Sequence, residues 1–139
     1  MSAERSVRVE RAAAGSYRAV NRRGTAIEIG TGDDAAFSPV ELLLAAIGAC
    51  GSVDLDLVTS RRTEPDRFTV TVRAEKVSDE AGNRLVDIVA VFDVAFPQGD
   101  AGDKARALTP RLLKQSHDRL CTVSRTVEAG TPVRIELAD

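Results

Sequence analysis

The apolar positions are densest in one stretch, Ser38–Thr59, with the sequence SPVELLLAAIGACGSVDLDLVT. Ser38 can cap a helix, Pro39 suits the first helical position, and Glu41 completes a capping box. Between residues 40 and 50 only a glutamate and a glycine interrupt the apolar run. A helix without a polar stripe is typical of a buried one. The pattern therefore predicts a long central helix that is buried on all sides.

In the rest of the chain, some segments have apolar residues at every second position, as in strands, and others have them at helical spacing. This predicts an α+β domain of antiparallel hairpins and helices. We expect residues 1–15 to be loosely ordered and the whole chain, 1–139, to form a single domain. Pro110 predicts either a kink or two abutting helices. The expected elements are a hairpin of Tyr17–Val20 and Thr25–Ile29, a long hairpin of residues 68–75 and 86–96, helices over residues 103–120 and Thr122–Glu128, and a last strand over residues 133–137.

Composition narrows the classes of function. The chain has 139 residues, is 43% hydrophobic and carries a net charge of -2 with scattered basic residues. This length and hydrophobic fraction are typical of one globular domain, and the scattered basic residues do not form a patch that would bind nucleic acid. The charged N-terminal residues do not resemble a leader or an anchor, and the apolar run of the central helix is about half of what a membrane span needs. We therefore expect a cytoplasmic protein with no membrane partner.

The candidate chemistry lies in the two cysteines, Cys50 near the middle of the long helix and Cys121 just before the last short helix. They do not form a Cys-x-x-Cys motif. Two cysteines in a cytoplasmic protein are either buried thiols without function or a redox pair. A helix start or a nearby arginine lowers a thiol pKa, and Arg119 and Arg125 flank Cys121. The long apolar helix is expected to carry Cys50 into the core.

His117 precedes Cys121 by one helical turn, so the two could share a helix face. With Cys50 they would offer three metal ligands, but the chain suggests no fourth, and we expect no metal. Asp54 and Asp56 are two residues apart on a helix and face different ways, which argues against a carboxylate pair.

Two segments, SPVELLLAAIGAC and the later SHDRLCTVSRTVEAGTPV, carry a resemblance to a known family. The chain resembles the OsmC-like family, which includes osmotically induced protein C and the organic hydroperoxide resistance proteins. The resemblance implies an OsmC-like fold, with antiparallel sheets around the long helix, in an intertwined homodimer. It also implies thiol-dependent reduction of organic or lipid hydroperoxides in oxidative or osmotic stress. Cys50 would be the peroxidatic and Cys121 the resolving cysteine, with an external lipoyl-type dithiol as reductant and no bound cofactor.

The sequence departs from the hydroperoxide-resistance branch at the residue after Pro39. That branch has a glutamate there, paired with an arginine from the N-terminal region, and this chain has Val40. Glu41 and Arg18 are therefore the candidate activating or pocket residues, although Glu41 is better explained as a helix cap and Arg18 also fits a solvated strand position. The chain is closer to a less characterised branch of the family. The alternative function is a non-catalytic module that binds an apolar small molecule at the dimer interface.

Overall fold

The computed structural model describes residues 1–138, which group into two units that meet in sequence at Leu43 and Leu44. The elements confirm the α+β class with antiparallel sheets. The first unit holds strands β1 (Val7–Ala13), β2 (Ser16–Asn21) and β3 (Ala26–Ile29) and the start of helix α1 (Pro39–Thr59). The second unit holds the rest of α1, strands β4 (Arg67–Asp79) and β5 (Gly82–Ala95), helix α2 (Asp100–Gln115), a π-helical segment (Ser116–Leu120) and helix α3 (Thr122–Glu128).

The first unit is a three-stranded antiparallel sheet in the order β1-β2-β3. The expected hairpin is present, and the side chain of Asn21 closes its turn by accepting hydrogen bonds from the backbone N–H groups of Arg23 and Thr25, each at 3.0 Å. Strand β1 was not expected, although Val7 and Val9 alternate with Arg8 and Glu10 over four residues. Its pairing with β2 is a backbone ladder from Val7 to Ala13, which side-chain patterning does not reveal.

Local hydrogen bonds fix the start of α1. The backbone N–H of Ser38 donates to Glu41 Oε1 at 2.9 Å, and the backbone N–H of Glu41 donates to Ser38 Oγ at 3.2 Å. The predicted capping box is therefore present. The hydrogen bonds from the Ser38 backbone and hydroxyl lower the pKa of Glu41, which favours the charged form that caps the helix.

Within the second unit, α1 lies very close to the β4–β5 hairpin because two glycines face it. A Cβ added at Gly48 would lie 2.8 Å from Val72 Cγ2, and one added at Gly51 would lie 2.9 Å from Phe92 Cζ. Leu55 continues the same buried face one turn later. The hairpin side of α1 therefore has no space for a side chain at either glycine.

The prediction that α1 is buried on all sides is wrong. Val53 and Leu57, on the face away from the hairpin, are 65% and 60% exposed. A single hairpin can cover only one side of a helix, and the composition of α1 does not reveal which side. Helix α1 is also long and apolar enough to cross a membrane by length and composition, a test that the core helices of globular proteins pass as well.

Helix α2 runs through Pro110 without a break. Thr109 does not cap a new helix, because its hydroxyl donates to the carbonyl of Ala105 at 2.9 Å, one turn back. Proline removes one helical N–H donor but leaves the rest of the ladder in place. The structure therefore excludes two abutting helices, and a kink at Pro110 stays a prediction.

The predicted last strand is wrong for the described residues. Residues 131–138 have no regular secondary structure. Val133, Ile135 and Leu137 are 85%, 94% and 97% exposed. Alternation supplies an apolar face, but a strand also needs a neighbouring strand to bond with, and no strand pairs with this segment in the part of the chain that the structure describes.

The close approach of α1 to the hairpin predicts the effect of filling Gly48. We expect Gly48→Ala to lower the free energy of unfolding by about 1 to 3 kcal/mol, because the new methyl group overlaps Val72. The check is urea denaturation followed by circular dichroism. In a Val72→Ala background the same substitution should be neutral or stabilising by up to about 1 kcal/mol, since helical glycine is unfavourable in itself. Equal losses in both backgrounds would contradict the packing.

Candidate functional site

The fold brings together the two cysteines that the sequence singled out. Cys50 lies on α1 and Cys121 lies between the π-helical segment and α3. Both are free thiols, and they are close enough to perturb each other's pKa. The expectation that Cys50 is in the core is not met, because it is partly exposed, whereas Cys121 is 2% exposed. The site is thus a dithiol with one buried and one more accessible sulfur.

The end of the π-helical segment positions Cys121. Its backbone N–H donates to the carbonyl of Ser116 at 2.8 Å, which closes the segment. Its Sγ accepts a hydrogen bond from the backbone N–H of Ser124 at 3.5 Å and lies 3.3 Å from Ser124 Oγ. Cys121 is therefore the cap of α3. Ser124 was not among the residues expected in the site, although its place three residues after the capping residue is the spacing of a capping pair.

Ser116 also ties the π-helical segment to α1. The buried Ser116 hydroxyl donates to Asp54 Oδ2 at 2.6 Å, and Asp54 follows Cys50 by one helical turn. The bond thus links the helix that carries Cys50 to the segment that precedes Cys121. The sequence suggests only Asp56 as a partner for Asp54, because the actual partner is 62 residues away in the chain.

The surroundings of the two thiols shift their pKa values in opposite directions. Burial raises the pKa of Cys50 most, followed by its contact with the Cys121 sulfur, while the Val123 backbone N–H acts in the other direction. Burial also acts to raise the pKa of Cys121. The Cys50 thiol and the hydroxyl and N–H of Ser124 outweigh that effect, so the pKa of Cys121 is lowered. The nearby charge of Asp54 adds to the increase for Cys50 and opposes the decrease for Cys121.

Two adjoining cavities lie in the second unit. The first, about 230 Å³, has Cys121 and Ser124 in its wall beside His117 and Ser116, and apolar side chains complete it. The second, about 340 Å³, shares His117 and Ser124 with the first. The apolar lining of the two comprises Ile47, Leu85, Val86, Ile88, Ala90, Phe92, Leu113 and Val127. Together they form a mostly apolar site that reaches the buried cysteine.

His117 lies in the wall that both cavities share, and each of its two ring nitrogens is within hydrogen-bond distance of a carboxylate. Nδ1 is 2.9 Å from Asp118 Oδ1, and Nε2 is 2.6 Å from Glu128 Oε1. These hydrogen bonds, first with Asp118 and then with Glu128, raise the pKa of His117. The structure therefore pairs His117 with carboxylates instead of with the cysteines. Among residues 1–138 no group of three or more potential ligands could hold a metal ion.

The two candidate activating residues belong to the first unit, and each has a partner there. Arg18 on β2 forms an exposed ion pair with Glu28 on β3, with Nε and Oε1 3.2 Å apart. Glu41 caps α1 through Ser38. These contacts account for both residues locally, and a role for either in activating a thiol stays a prediction.

The fold and the site define a class, that of α+β proteins with a pair of neighbouring cysteines beside an apolar cavity. Residues 30–136 match the OsmC family, described as OsmC-like protein, and the chain belongs to that family. An uncharacterized protein of Mycobacterium tuberculosis H37Rv is 29% identical over 132 residues, which cover 94% of each chain.

Solved structures show the same fold. A hypothetical protein from Aquifex aeolicus VF5 superposes with a TM-score of 0.73 at 21% identity, covering 94% of this chain and 91% of that one. The organic hydroperoxide resistance protein OsmC from Legionella pneumophila, also described as a predicted redox protein, gives a TM-score of 0.60 at 16% identity and covers 91% of each chain. These structures confirm the OsmC-like fold.

The carboxylates beside His117 predict a measurable shift in its titration. Because His117 is the sole histidine of the chain, NMR can follow its imidazole without ambiguity. We expect a pKa above the ordinary value of about 6.5, since both partners favour the charged form. Glu128→Gln should lower this pKa, whereas Glu136→Gln in the C-terminal segment should leave it unchanged. A titration that is the same in all three proteins would contradict the geometry.

The raised pKa of His117 also determines how its contribution to the stability of the fold depends on pH. A raised pKa in the folded state stabilises the protein fully below the pKa of the unfolded state. That contribution is lost as the pH rises through the folded pKa. It should be small, because the side chain of His117 is more than half exposed.

Proposed function

We propose that this protein reduces organic or lipid hydroperoxides in the cytoplasm with Cys50 and Cys121, as part of an oxidative or osmotic stress response. The observation that carries the proposal is the meeting of two free cysteines, far apart in sequence, where Cys121 lines an apolar cavity. Membership of the OsmC-like family supports a role connected with peroxide or stress. The Legionella neighbour is an organic hydroperoxide resistance protein by name.

The reaction follows from thiol chemistry. A thiolate attacks the peroxide and becomes a sulfenic acid, which condenses with the second thiol to a disulfide. An external dithiol of the lipoyl type then reduces the disulfide by exchange. The family resemblance implies that Cys50 attacks and Cys121 resolves, but the complete cycle requires only that the two sulfurs can bond. No bound cofactor or metal takes part in this cycle.

The cavities indicate the class of substrate. Apolar side chains such as Phe92 and Leu113 line the first cavity and favour an alkyl chain over hydrogen peroxide. The second cavity extends the apolar wall along Leu85, Ile88 and Val127, which provides room for a longer chain. Burial of such a chain is favourable by about 25 cal/mol per Å² of apolar surface. The substrate that fits best is therefore an alkyl or lipid hydroperoxide.

A second candidate function is binding of an apolar small molecule without chemistry. The second cavity favours it, because most of its lining residues are apolar, with Asp87 and Glu128 also in its wall, and the cysteines are not among them. In that case the thiols would be incidental, and Arg18 would have no role in activating them. The two functions differ in whether the thiols react with a peroxide at a useful rate.

Intact-mass spectrometry tests the peroxidase directly. The reduced protein should lose two hydrogens rapidly after one equivalent of cumene hydroperoxide, because the two thiols become a disulfide, and dihydrolipoamide should restore the original mass. Hydrogen peroxide at the same concentration should react more slowly, since it gains nothing from the apolar wall. The Cys50→Ser, Cys121→Ser double variant is the control and should keep its mass.

Thiols that stay unchanged for minutes would contradict the peroxidase. The binding function would then be tested by native mass spectrometry and by extraction of co-purified apolar molecules.

The exposed face of α1 supports the homodimer that the family resemblance implies. Val53 and Leu57 are exposed apolar residues that a second copy could cover. We expect light scattering to give twice the chain mass of 14.8 kDa. Val53→Asp with Leu57→Asp should give the monomer mass, because two buried carboxylates are unfavourable, whereas Ala81→Asp at the hairpin turn should not. A wild-type monomer at micromolar concentration would contradict the dimer.

A further inference from the structure

We propose that Asp54 is a general acid and base of the site, which transfers the thiol proton when Cys50 and Cys121 form their disulfide. Ser116 is the residue that positions the Asp54 carboxylate for this transfer. The role of Asp54 rests on the proposed function and is the same whichever cysteine reacts with the peroxide first.

Helix α1 places Asp54 beside Cys50. Asp54 follows Cys50 by four residues, so the two side chains lie on the same helix face, with Cβ atoms about 5 to 6 Å apart. The charge of Asp54 also reaches both sulfurs, because it acts to raise the pKa of each cysteine thiol. Asp54 is half-buried and is not among the residues that line either cavity. The carboxylate is therefore close to the thiols and outside the space for the alkyl group of a substrate.

A hydrogen bond from Ser116 fixes the carboxylate. The Ser116 hydroxyl donates to Asp54 Oδ2 at 2.6 Å, and Ser116 is 3% exposed. The backbone carbonyl of the same serine accepts from the Cys121 N–H at 2.8 Å. One buried residue thus holds the carboxylate and the Cys121 backbone together. Since a carboxylate has two oxygens that accept, Oδ1 of Asp54 is left to take a proton.

The disulfide step requires a proton to move. After reaction with the peroxide, one cysteine is a sulfenic acid and the other is a thiol. A bond forms between the two sulfurs and the S–O bond breaks. The carboxylate takes the thiol proton and delivers a proton to the departing oxygen, which leaves as water. The thiol sulfur is oxidised, the sulfenic sulfur is reduced, and Asp54 is a carboxylate again at the end.

The charge of Asp54 and its proton transfer affect different steps in opposite directions. A nearby negative charge disfavours a thiolate, so Asp54 slows reactions that depend on the thiolate alone. Proton transfer by a positioned side chain accelerates a step about 10²- to 10⁴-fold. A variant that removes both the charge and the proton acceptor therefore separates this role from a purely structural one.

The variant Asp54→Asn tests the role, because it keeps a side-chain oxygen that can accept from Ser116. Cumene hydroperoxide is raised until the rate of disulfide formation no longer depends on its concentration, and intact-mass spectrometry follows the gain of one oxygen and the loss of two hydrogens. We expect the limiting rate to fall at least about tenfold and the sulfenic acid to accumulate. Alkylation of the reduced thiols by iodoacetamide near neutral pH should be at least as fast as in the wild type, because a negative charge is gone.

Two further variants complete the comparison. Asp56→Asn is the matched control, since Asp56 is an exposed residue of the same helix that faces another way, and both of its rates should equal those of the wild type. Ser116→Ala keeps the carboxylate but removes its hydrogen bond. It should lower the limiting rate by a smaller factor, on the order of fivefold, and leave alkylation close to that of the wild type.

The outcomes distinguish the role of Asp54 from the proposed function. An unchanged limiting rate in Asp54→Asn would overturn the role and leave the function intact. Slower alkylation together with slower disulfide formation would also overturn it, because that pattern indicates disturbed packing around the thiols. Failure of the wild-type protein to form a disulfide would overturn the function itself. Circular dichroism establishes that each variant is folded; if Asp54→Asn is not, an unchanged limiting rate in Ser116→Ala overturns the role and a lower one supports it.

Discussion

The close packing of α1 on the β4–β5 hairpin is the constraint on which the rest of the second unit depends. Gly48 and Gly51 present no side chain to Val72 and Phe92, so the helix axis lies nearer the hairpin than a larger residue would permit. Phe92 is at the same time part of the wall of the first cavity. The contact that supports the core therefore also sets one boundary of the site. Each glycine weakens the helix by roughly 0.5 to 1 kcal/mol, and the buried apolar surface compensates for this.

A second constraint places Cys121. The π-helical segment brings the carbonyl of Ser116 to the Cys121 N–H, while the Ser116 hydroxyl holds Asp54 on α1. One serine thus connects both cysteine-bearing elements. A π-helical turn is rare and is frequently found at functional sites. Here it turns the chain from α2 into α3, with a thiol at the corner between them.

The features that the sequence predicted are those with local physical causes. The capping box at Ser38 and Glu41 and the hairpin that Asn21 closes need only neighbouring residues, and both are present as expected. The buried side of α1 could not be predicted, because apolar residues lie on every face of the helix and no polar face marks the exposed side. Strand β1 was missed, and a strand was wrongly predicted over residues 133–137, for a similar reason, since pairing of a strand depends on a partner that alternation does not identify.

In the candidate site, too, features with local causes could be predicted and contacts between distant residues could not. The cysteines could be selected from sequence because their residue type and helix positions carry chemistry, and the resemblance gave them a common function. Ser124 lies three residues after Cys121, the spacing of a capping pair, but helix caps are usually side chains with an oxygen and Cys121 caps α3 with a sulfur. The Ser116 to Asp54 bond joins residues 62 positions apart. Only the fold could bring that pair together.

The site must also reconcile two opposing requirements. An apolar cavity favours an alkyl hydroperoxide, yet burial in apolar surroundings disfavours the thiolate that must react with it. Arginine near the sulfur would be one solution, and Arg18 is instead occupied by Glu28 within its own sheet. Hydrogen bonds are another solution, because they stabilise the anion without bringing a solvated charge into the cavity. The backbone N–H of Ser124 donates such a bond to Cys121 Sγ at 3.5 Å from within the first turn of α3, and the pKa of the buried cysteine is lowered.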